Sequence, residues 1–239
     1  MSVDSARIPV IVLVGPPNAG KTSLYNHLTG SRFKTVNYPG ATVEFSTGKL
    51  RAGASIDANI VDTPGIVSLV PRSLDERVAI DTLVHLDRIG EPRAVPDLLL
   101  VAVDATQPRR HLPLVAQIRR AGFRAQVVLT MNDIAGRRGR PVDANRLSEL
   151  LQLPVVEVDG RTGRGITELL SAIESGIADE SATIPVLPGN STEAQILEDF
   201  RWADSLAAQC LPGNPGDSDH IPMLDRIALH PVLGLAVFA

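Results

Sequence analysis

The chain has 239 residues, with 23 lysines and arginines against 27 aspartates and glutamates, a formal net charge of −4. This balance gives no reason to expect nucleic acid as the main partner. The single cysteine, Cys210, excludes an intramolecular disulfide and suits a reducing compartment. The length allows one α/β domain of about 170 residues and a smaller unit beside it.

The most informative segment is residues 15–22, Gly-Pro-Pro-Asn-Ala-Gly-Lys-Thr, which has the G-x-x-x-x-G-K-T spacing of a phosphate-binding loop. An apolar run precedes it and a helical pattern follows it, a context that separates such a loop from a chance match. Gly15 and Gly20 let successive backbone N–H groups point inward at a phosphate chain. Lys21 would bridge the β- and γ-phosphates, and the Thr22 hydroxyl would ligate Mg²⁺. A nucleoside di- or triphosphate is therefore expected to bind at Gly15, Asn18, Ala19, Gly20, Lys21, Thr22 and Ser23.

Beyond this loop, apolar runs and helical patterns alternate along the chain. Residues 31–42 are polar and turn-rich, and two alternating segments at 43–50 and 55–61 predict a β-hairpin. Ser73 and Glu76 form a capping box that predicts a helix running to about residue 88. The later predicted elements are strands at 97–103, 125–130 and 154–158 and helices at about 113–121, 147–151 and 166–173. Strands alternating with helices at this spacing predict a mostly parallel sheet covered on both faces.

The C-terminal part has a different pattern. Residues 178–190 predict a linker, and a second helical pattern follows over about 191–209. Residues 227–239 are almost wholly apolar but too short to span a membrane, which takes about 20 such residues. A buried final strand and the truncated start of a membrane segment both remain open, with the second slightly favoured.

Two further motifs are expected to complete a nucleotide site. Asp62-Thr63-Pro64-Gly65 closes a strand, so the Asp62 carboxylate could hold a Mg²⁺-bound water and the Gly65 N–H could approach a γ-phosphate. A plain turn is the alternative, but the position after a phosphate loop favours the site. Thr42 lies between the two motifs and is expected to reach Mg²⁺ as a mobile switch hydroxyl when a γ-phosphate is present.

A base-recognition motif follows the strand at 125–130. In the run Thr130-Met131-Asn132-Asp133, the Asp133 carboxylate could accept hydrogen bonds from N1–H and the N2 amine of guanine. Adenine cannot offer this pair of donors. The alternative is an ordinary acidic residue in a turn.

The order of these motifs resembles a small Ras-like GTPase, and more narrowly the N-terminal cytoplasmic part of FeoB ferrous iron transporters. Residues 36–44, 73–79 and 96–106 carry the resemblance, and residues 224–234 are similar to the start of the family's first membrane helix. The resemblance implies a Ras-like α/β domain over 1–176, with a mostly parallel six-stranded sheet and helices on both faces. It also implies a linker and short helical appendage over 177–226 and a truncated membrane segment over 227–239.

The resemblance further implies GTP hydrolysis to GDP and phosphate that gates or regulates Fe(II) uptake at the cytoplasmic face of the bacterial inner membrane. The implied partner is the membrane-embedded portion of the same full-length protein. Mg²⁺ would be held by Thr22, Thr42 and Asp62, and K⁺ by Asn18, where the cation takes the place of an arginine finger. The implied catalytic residues are Asn18, Lys21, Thr42 and Gly65.

Three positions depart from the family pattern. Ile66 stands where many GTPases place a glutamine, so the attacking water must be oriented by backbone or by the switch-one loop, and slow turnover is expected. Thr130 replaces the usual asparagine of the guanine motif. The base-cradling loop, usually Ser-Ala, is here Asp159-Gly160-Arg161.

Two other hypotheses remain open. A soluble ribosome- or tRNA-associated GTPase shares the asparagine-bearing phosphate loop but would need an RNA-binding module. A nucleotide-sensing interaction module with vestigial hydrolysis is the second. The basic clusters at 109–111 and 137–140 predict solvated loop faces, with contact to anionic lipid headgroups as the alternative.

Overall fold

A computed structural model describes residues 8–31, 33–39, 43–51, 53–92, 94–178, 185–187 and 192–211. The predictions for Thr42 and for the apolar run at 227–239 lie outside the described residues.

The described part of the chain is built on a seven-stranded sheet with the strand order β2-β3-β4-β1-β5-β6-β7. The strands are β1 (Val10–Val14), β2 (Phe33–Asn37), β3 (Glu44–Lys49), β4 (Asn59–Asp62), β5 (Leu98–Asp104), β6 (Ala125–Thr130) and β7 (Val155–Val158). Five neighbouring strands run parallel, namely β4, β1, β5, β6 and β7. Strands β2 and β3 pair antiparallel at one edge of the sheet. The hairpin predicted from the sequence is confirmed, since β3 pairs antiparallel with β4.

The predicted count of six strands is wrong because the polar segment at 31–42 contains strand β2. This edge strand pairs with β3, placing Val36 opposite Phe45, and the Tyr38 N–H extends the pairing by donating to the Val43 carbonyl at 3.0 Å. Lys34 and Thr35 are exposed. A strand at the edge of a sheet needs few apolar residues, because much of it faces water. The polar composition of β2 therefore resembled that of a turn.

Seven α-helices and one 3-10 helix accompany the described strands. The α-helices are α1 (Lys21–Thr29), α2 (Leu74–Thr82), α3 (Pro108–Arg120), α4 (Asn132–Arg137), α5 (Ala144–Leu151), α6 (Ile166–Ala178) and α7 (Glu193–Cys210). The predicted N-terminal cap of α2 is confirmed, because the Ser73 side chain accepts from the Glu76 N–H. This helix ends at Thr82, short of the predicted residue 88, and the 3-10 helix Leu86–Ile89 follows it. No described helix is long and apolar enough to cross a membrane.

Strand β1 shows how the sheet divides the core into two layers. Val10, Val12 and Val14 face the cluster formed with α2, α3, α5 and α7, whereas Ile11 and Leu13 face the cluster formed with α1 and α6. All five side chains are fully buried. A continuous apolar run is the expected composition of a strand covered on both faces.

Helix α7 belongs to the larger of these two layers. Ala203 and Leu206 are buried in the same cluster as β1. The contact with α3 is also polar: Gln117 Nε2 donates to the buried Asp199 carboxylate at 3.1 Å, and Arg120 pairs with the same carboxylate. The Gln117 side-chain oxygen accepts from the Leu69 N–H at 2.6 Å. One glutamine on α3 therefore joins α7 to the loop that follows β4.

Candidate nucleotide-binding site

The phosphate loop connects β1 to α1 at the carboxyl edge of the parallel strands. Gly15 has φ 145°, and a Cβ at this position would lie 2.7 Å from the carbonyl oxygen of Ala102, a backbone atom that cannot move aside. Gly20 has φ 81°. Asn18 is also left-handed, with φ 62°, and is exposed. The sequence signature thus corresponds to a tightly wound backbone loop, and the carboxyl edge is where ligands bind in sheets of this type.

Lys21 lies inside this loop. Its Nζ atom donates to the carbonyl oxygens of Gly15 and Pro16, both at 3.0 Å, and the residue is 8% exposed. Burial lowers the pKa of Lys21, while the nearby Asp62 carboxylate acts in the opposite direction. The ammonium group is thus held inside the loop by two backbone acceptors.

The Asp62 carboxylate at the end of β4 faces the start of α1. Thr22 Oγ1 donates to Asp62 Oδ2 at 3.5 Å, and the buried Oδ1 atom has no hydrogen-bond partner among the described residues. Burial raises the pKa of Asp62 to about 6, against the opposing effects of Lys21 and Thr22. Since an orphaned carboxylate oxygen beside a hydroxyl is a donor set suited to hydrated Mg²⁺, these residues fit the metal expected there.

Asp62 makes stability pH-dependent in the nucleotide-free protein. Its folded pKa of about 6 lies above the ordinary value of 3.8, so the folded state favours the protonated acid. The resulting contribution to the free energy of unfolding is fully present below about pH 4. It is lost as the pH rises through 6, and the loss amounts to about 3 kcal/mol at most. We expect Asp62→Asn to remove this part of the pH dependence when the free energy of unfolding is measured in urea at several pH values with EDTA.

Asp57→Asn is the matched control for that measurement, because Asp57 is an exposed acid paired with Lys49. The control should keep the pH profile of the unmodified chain. An Asp62→Asn profile that matches it would contradict the assignment.

The loop after β4 lies directly on the phosphate loop. A Cβ on Gly65 would lie 2.6 Å from Pro17 Cγ and 2.7 Å from Pro17 N, so no larger residue fits in this arrangement. The Ile66 N–H donates to the Gly15 carbonyl at 3.0 Å. The Ile66 side chain is fully buried in the core and so does not face the site. The backbone of the loop after β4 therefore borders the site, whereas the Ile66 side chain does not.

The guanine motif is joined to the phosphate loop through Thr130. Its hydroxyl donates to the Ala19 carbonyl at 3.0 Å, a link from the end of β6 to the loop that does not require the usual asparagine. Met131 has φ 57° and precedes α4. Asp133 lies in the first turn of α4, where its Oδ2 atom accepts from Arg137 Nη1 at 2.9 Å. A guanine base would have to share this carboxylate with Arg137, a contact that the sequence motif did not reveal.

The loop after β7 packs against α1. The Asp159 carboxylate turns back on its own loop, accepting from the Arg161 N–H at 2.8 Å and from the Thr162 hydroxyl at 2.7 Å, and these bonds lower its pKa. A Cβ on Gly160 would lie 3.1 Å from Ser23 Cβ, and the Gly160 carbonyl contacts His27 Nε2 at 2.9 Å. The sequence did not predict that His27 contacts this loop. The one indication of it is that His27 lies one helical turn after Ser23.

In the described residues, Asp62, Gly65, Thr130 and the loop at 159–161 each contact the phosphate loop or the start of α1. No group of three or more His, Cys, Asp or Glu residues in the described ranges is arranged to hold a metal ion. The arrangement places one ammonium group, that of Lys21, and one carboxylate, that of Asp62, at the phosphate loop, while the Asp133 carboxylate lies in the first turn of α4.

Comparison with known proteins decides the family. The family model for ferrous iron transport protein B matches residues 9–173. The chain belongs to the FeoB family. The Fe(2+) transporter FeoB of Staphylococcus aureus (strain MSSA476) is 36% identical over 162 residues, which are 68% of this chain and 23% of that protein. The chain therefore spans less than a quarter of the length of that FeoB relative.

Solved FeoB structures have the same fold. The G domain of T. maritima FeoB is 32% identical with a TM-score of 0.61, covering 71% of this chain and 98% of that one. A mutant of S. thermophilus NFeoB bound to GDP is 30% identical with a TM-score of 0.63, covering 83% of this chain and 78% of that one. The predicted Ras-like P-loop GTPase fold and the FeoB resemblance are confirmed, and the chain contains the N-terminal GTPase domain of the family.

Proposed function

We propose that this chain binds and hydrolyses GTP and that the resulting cycle gates or regulates Fe(II) uptake by the membrane-embedded portion of a FeoB transporter. The observation that supports this proposal most directly is the placement of Lys21, Thr22 and Asp62 around one phosphate loop in a FeoB-family domain. The GDP-bound S. thermophilus relative supports a guanine nucleotide as the ligand. The site of action would be the cytoplasmic face of the bacterial inner membrane.

Each residue has a definite part in this proposal. Lys21 would release the carbonyls of Gly15 and Pro16 and transfer its hydrogen bonds to the β- and γ-phosphates. Thr22 and Asp62 would hold Mg²⁺, with Thr42 as a further ligand. When bound, this ion neutralises charge that develops on the phosphate oxygens. Asn18, on the exposed turn of the loop, would hold K⁺ beside the same phosphates.

The base would be read by Asp133 and cradled by the loop at 159–161. Because the Asp159 carboxylate accepts from its own loop, we expect it to leave room for a base. Thr130 preserves the link between the base motif and the phosphate loop. These contacts support guanine recognition in spite of the two departures from the family pattern.

Turnover is proposed to be slow. The buried Ile66 side chain cannot orient the attacking water, so this task would fall to the Gly65 backbone and to the switch-one loop around Thr42. Membership of the FeoB family favours this function over a ribosome- or tRNA-associated GTPase.

The test is phosphate release from GTP by the whole chain with Mg²⁺ in matched KCl and NaCl buffers. We expect faster turnover in potassium, and we expect Asn18→Ala to lose the difference between the two salts. Asn145→Ala is the control, because Asn145 is an exposed residue of α5 remote from the phosphate loop in sequence. Equal rates of the unmodified chain in both salts would contradict the role of K⁺.

A nucleotide-sensing module without useful hydrolysis is the second candidate. The burial of Ile66 is the observation that favours it, because this side chain lies in the core and cannot orient a water. Negligible phosphate release in both salts, with GTP binding retained, would support this candidate over the first.

A further inference from the structure

The loop after β7 holds its own shape through internal hydrogen bonds. The Asp159 carboxylate accepts from the Thr162 hydroxyl at 2.7 Å, and the Asp159 carbonyl accepts from the Gly163 N–H at 2.8 Å. The Asp159 N–H donates to the Arg164 carbonyl at 3.0 Å. Residues 159–164, here called the base loop, therefore form a closed turn, and contacts with other segments decide where that turn lies.

Helix α1 supplies the contact that places the base loop. His27 Nε2 lies 2.9 Å from the Gly160 carbonyl oxygen, and because a carbonyl oxygen only accepts, the His27 ring donates this hydrogen bond from Nε2–H. Among the described residues, this is the one hydrogen bond that joins the base loop to a segment other than helix α6 directly after it. A Cβ on Gly163 would lie 3.1 Å from His27 Cε1, so the ring also packs closely on the base loop.

Ser23 and His27 share one face of α1. They are four residues apart, which places them on neighbouring turns of the same side of a helix. A Cβ on Gly160 would lie 3.1 Å from Ser23 Cβ. Ser23 therefore contributes close packing to this contact, and His27 contributes a hydrogen bond as well.

The helix that carries His27 also begins at the phosphate loop. Lys21 and Thr22 form the start of α1. A nucleotide bound as proposed would have its phosphates at the start of α1 and its base beside the base loop. Movement of the base loop away from α1 would break the hydrogen bond between His27 and Gly160. This bond therefore opposes the opening that releases the base.

We propose that His27 is a positioning residue that holds the base loop against α1 and thereby slows the release of guanine nucleotides. The inference rests on the proposed function, since it takes the base to lie against the base loop. A hydrogen bond between neutral groups corresponds to about a fivefold change in an equilibrium constant. Changes of this kind are expressed mostly in the dissociation rate. Loss of the His27 donor should therefore accelerate the dissociation of GDP about fivefold.

The test is the dissociation rate of a fluorescently labelled GDP from the whole 239-residue chain, measured in stopped flow after addition of excess unlabelled GDP. His27→Leu removes the donor and keeps an apolar side chain of similar size. His27→Gln is the conservative variant, because its side-chain amide keeps an N–H donor. His85→Leu is the control: His85 is also partly buried, but it precedes the 3-10 helix Leu86–Ile89 and lies outside α1 and the base loop.

Tripolyphosphate provides a second measurement, because it carries phosphates without a base. Its affinity follows from competition with the labelled GDP, corrected for the affinity of each protein for that GDP. We expect the same affinity for tripolyphosphate in all four proteins. A variant that merely loosened α1 would also lose affinity for tripolyphosphate, because Lys21 begins that helix.

We expect dissociation of GDP to be about fivefold faster in His27→Leu, and close to the unmodified rate in His27→Gln and His85→Leu. Three results would each overturn the role of His27: an unchanged rate in His27→Leu, equal acceleration in His27→Leu and His27→Gln, or an equal loss of affinity for GDP and for tripolyphosphate. Failure of the unmodified chain to bind the labelled GDP would instead refute the proposed function, and the role of His27 with it.

Discussion

Lys21→Ala is expected to reduce the rate of GTP hydrolysis and the affinity for GDP by at least about a hundredfold. The wild-type ammonium is buried within the phosphate loop, where its two present acceptors are backbone carbonyls at 3.0 Å. Removing it leaves the phosphates without their cationic contact and takes one donor from each of those carbonyls. Fluorescence titration with a labelled GDP and single-turnover phosphate release measure the two effects separately.

Lys49→Ala is the control for this variant, because Lys49 is exposed and pairs with Asp57. It should leave both quantities unchanged. Unaltered turnover in Lys21→Ala would remove the assignment of the phosphate loop altogether.

Asp133→Asn is expected to shift base preference away from guanine, with a loss of about a hundredfold or more in GTP affinity. The carboxylate can accept from both N1–H and the N2 amine of guanine, whereas an amide offers one acceptor and places a donor against the other position. Competition by GTP, ATP and XTP for a labelled guanine nucleotide measures the change. We expect XTP to gain relative to GTP in the variant.

The ion pair of Asp133 with Arg137 gives this experiment a second arm. Arg137→Ala frees the carboxylate, and since exposed pairs of this spacing contribute about 0.5 kcal/mol, GTP affinity should rise about twofold. Equal competition by GTP and ATP in the unmodified chain would refute guanine recognition by Asp133.

The parts of the site that were predictable are those encoded by local spacing. The phosphate loop needs glycine at fixed positions because its backbone is left-handed at Gly20 and touches β5 at Gly15. Such requirements are visible in a single sequence. The strands β5 and β6 were equally visible, because burial on both faces demands a continuous apolar run.

The parts that were missed depend on contacts between distant segments. Nothing in the sequence near Asp133 shows that Arg137 occupies its carboxylate, or that His27 contacts the Gly160 carbonyl. Strand β2 was missed because pairing with β3, and not its own composition, makes it a strand. The start of α3 at Pro108 preceded the predicted residue 113, since proline is well tolerated in the first turn of a helix.

The packing of α7 has a thermodynamic consequence. Its apolar residues share one core with β1 and α3, and the buried Asp199 is bonded to both Gln117 and Arg120. Detaching this helix would expose that core to water and leave the Asp199 carboxylate without Gln117 and Arg120. We therefore expect α7 and the sheet to unfold as one cooperative unit. The sole tryptophan, Trp202, is partly buried against the same core. Its emission thus reports whether α7 and the sheet unfold together.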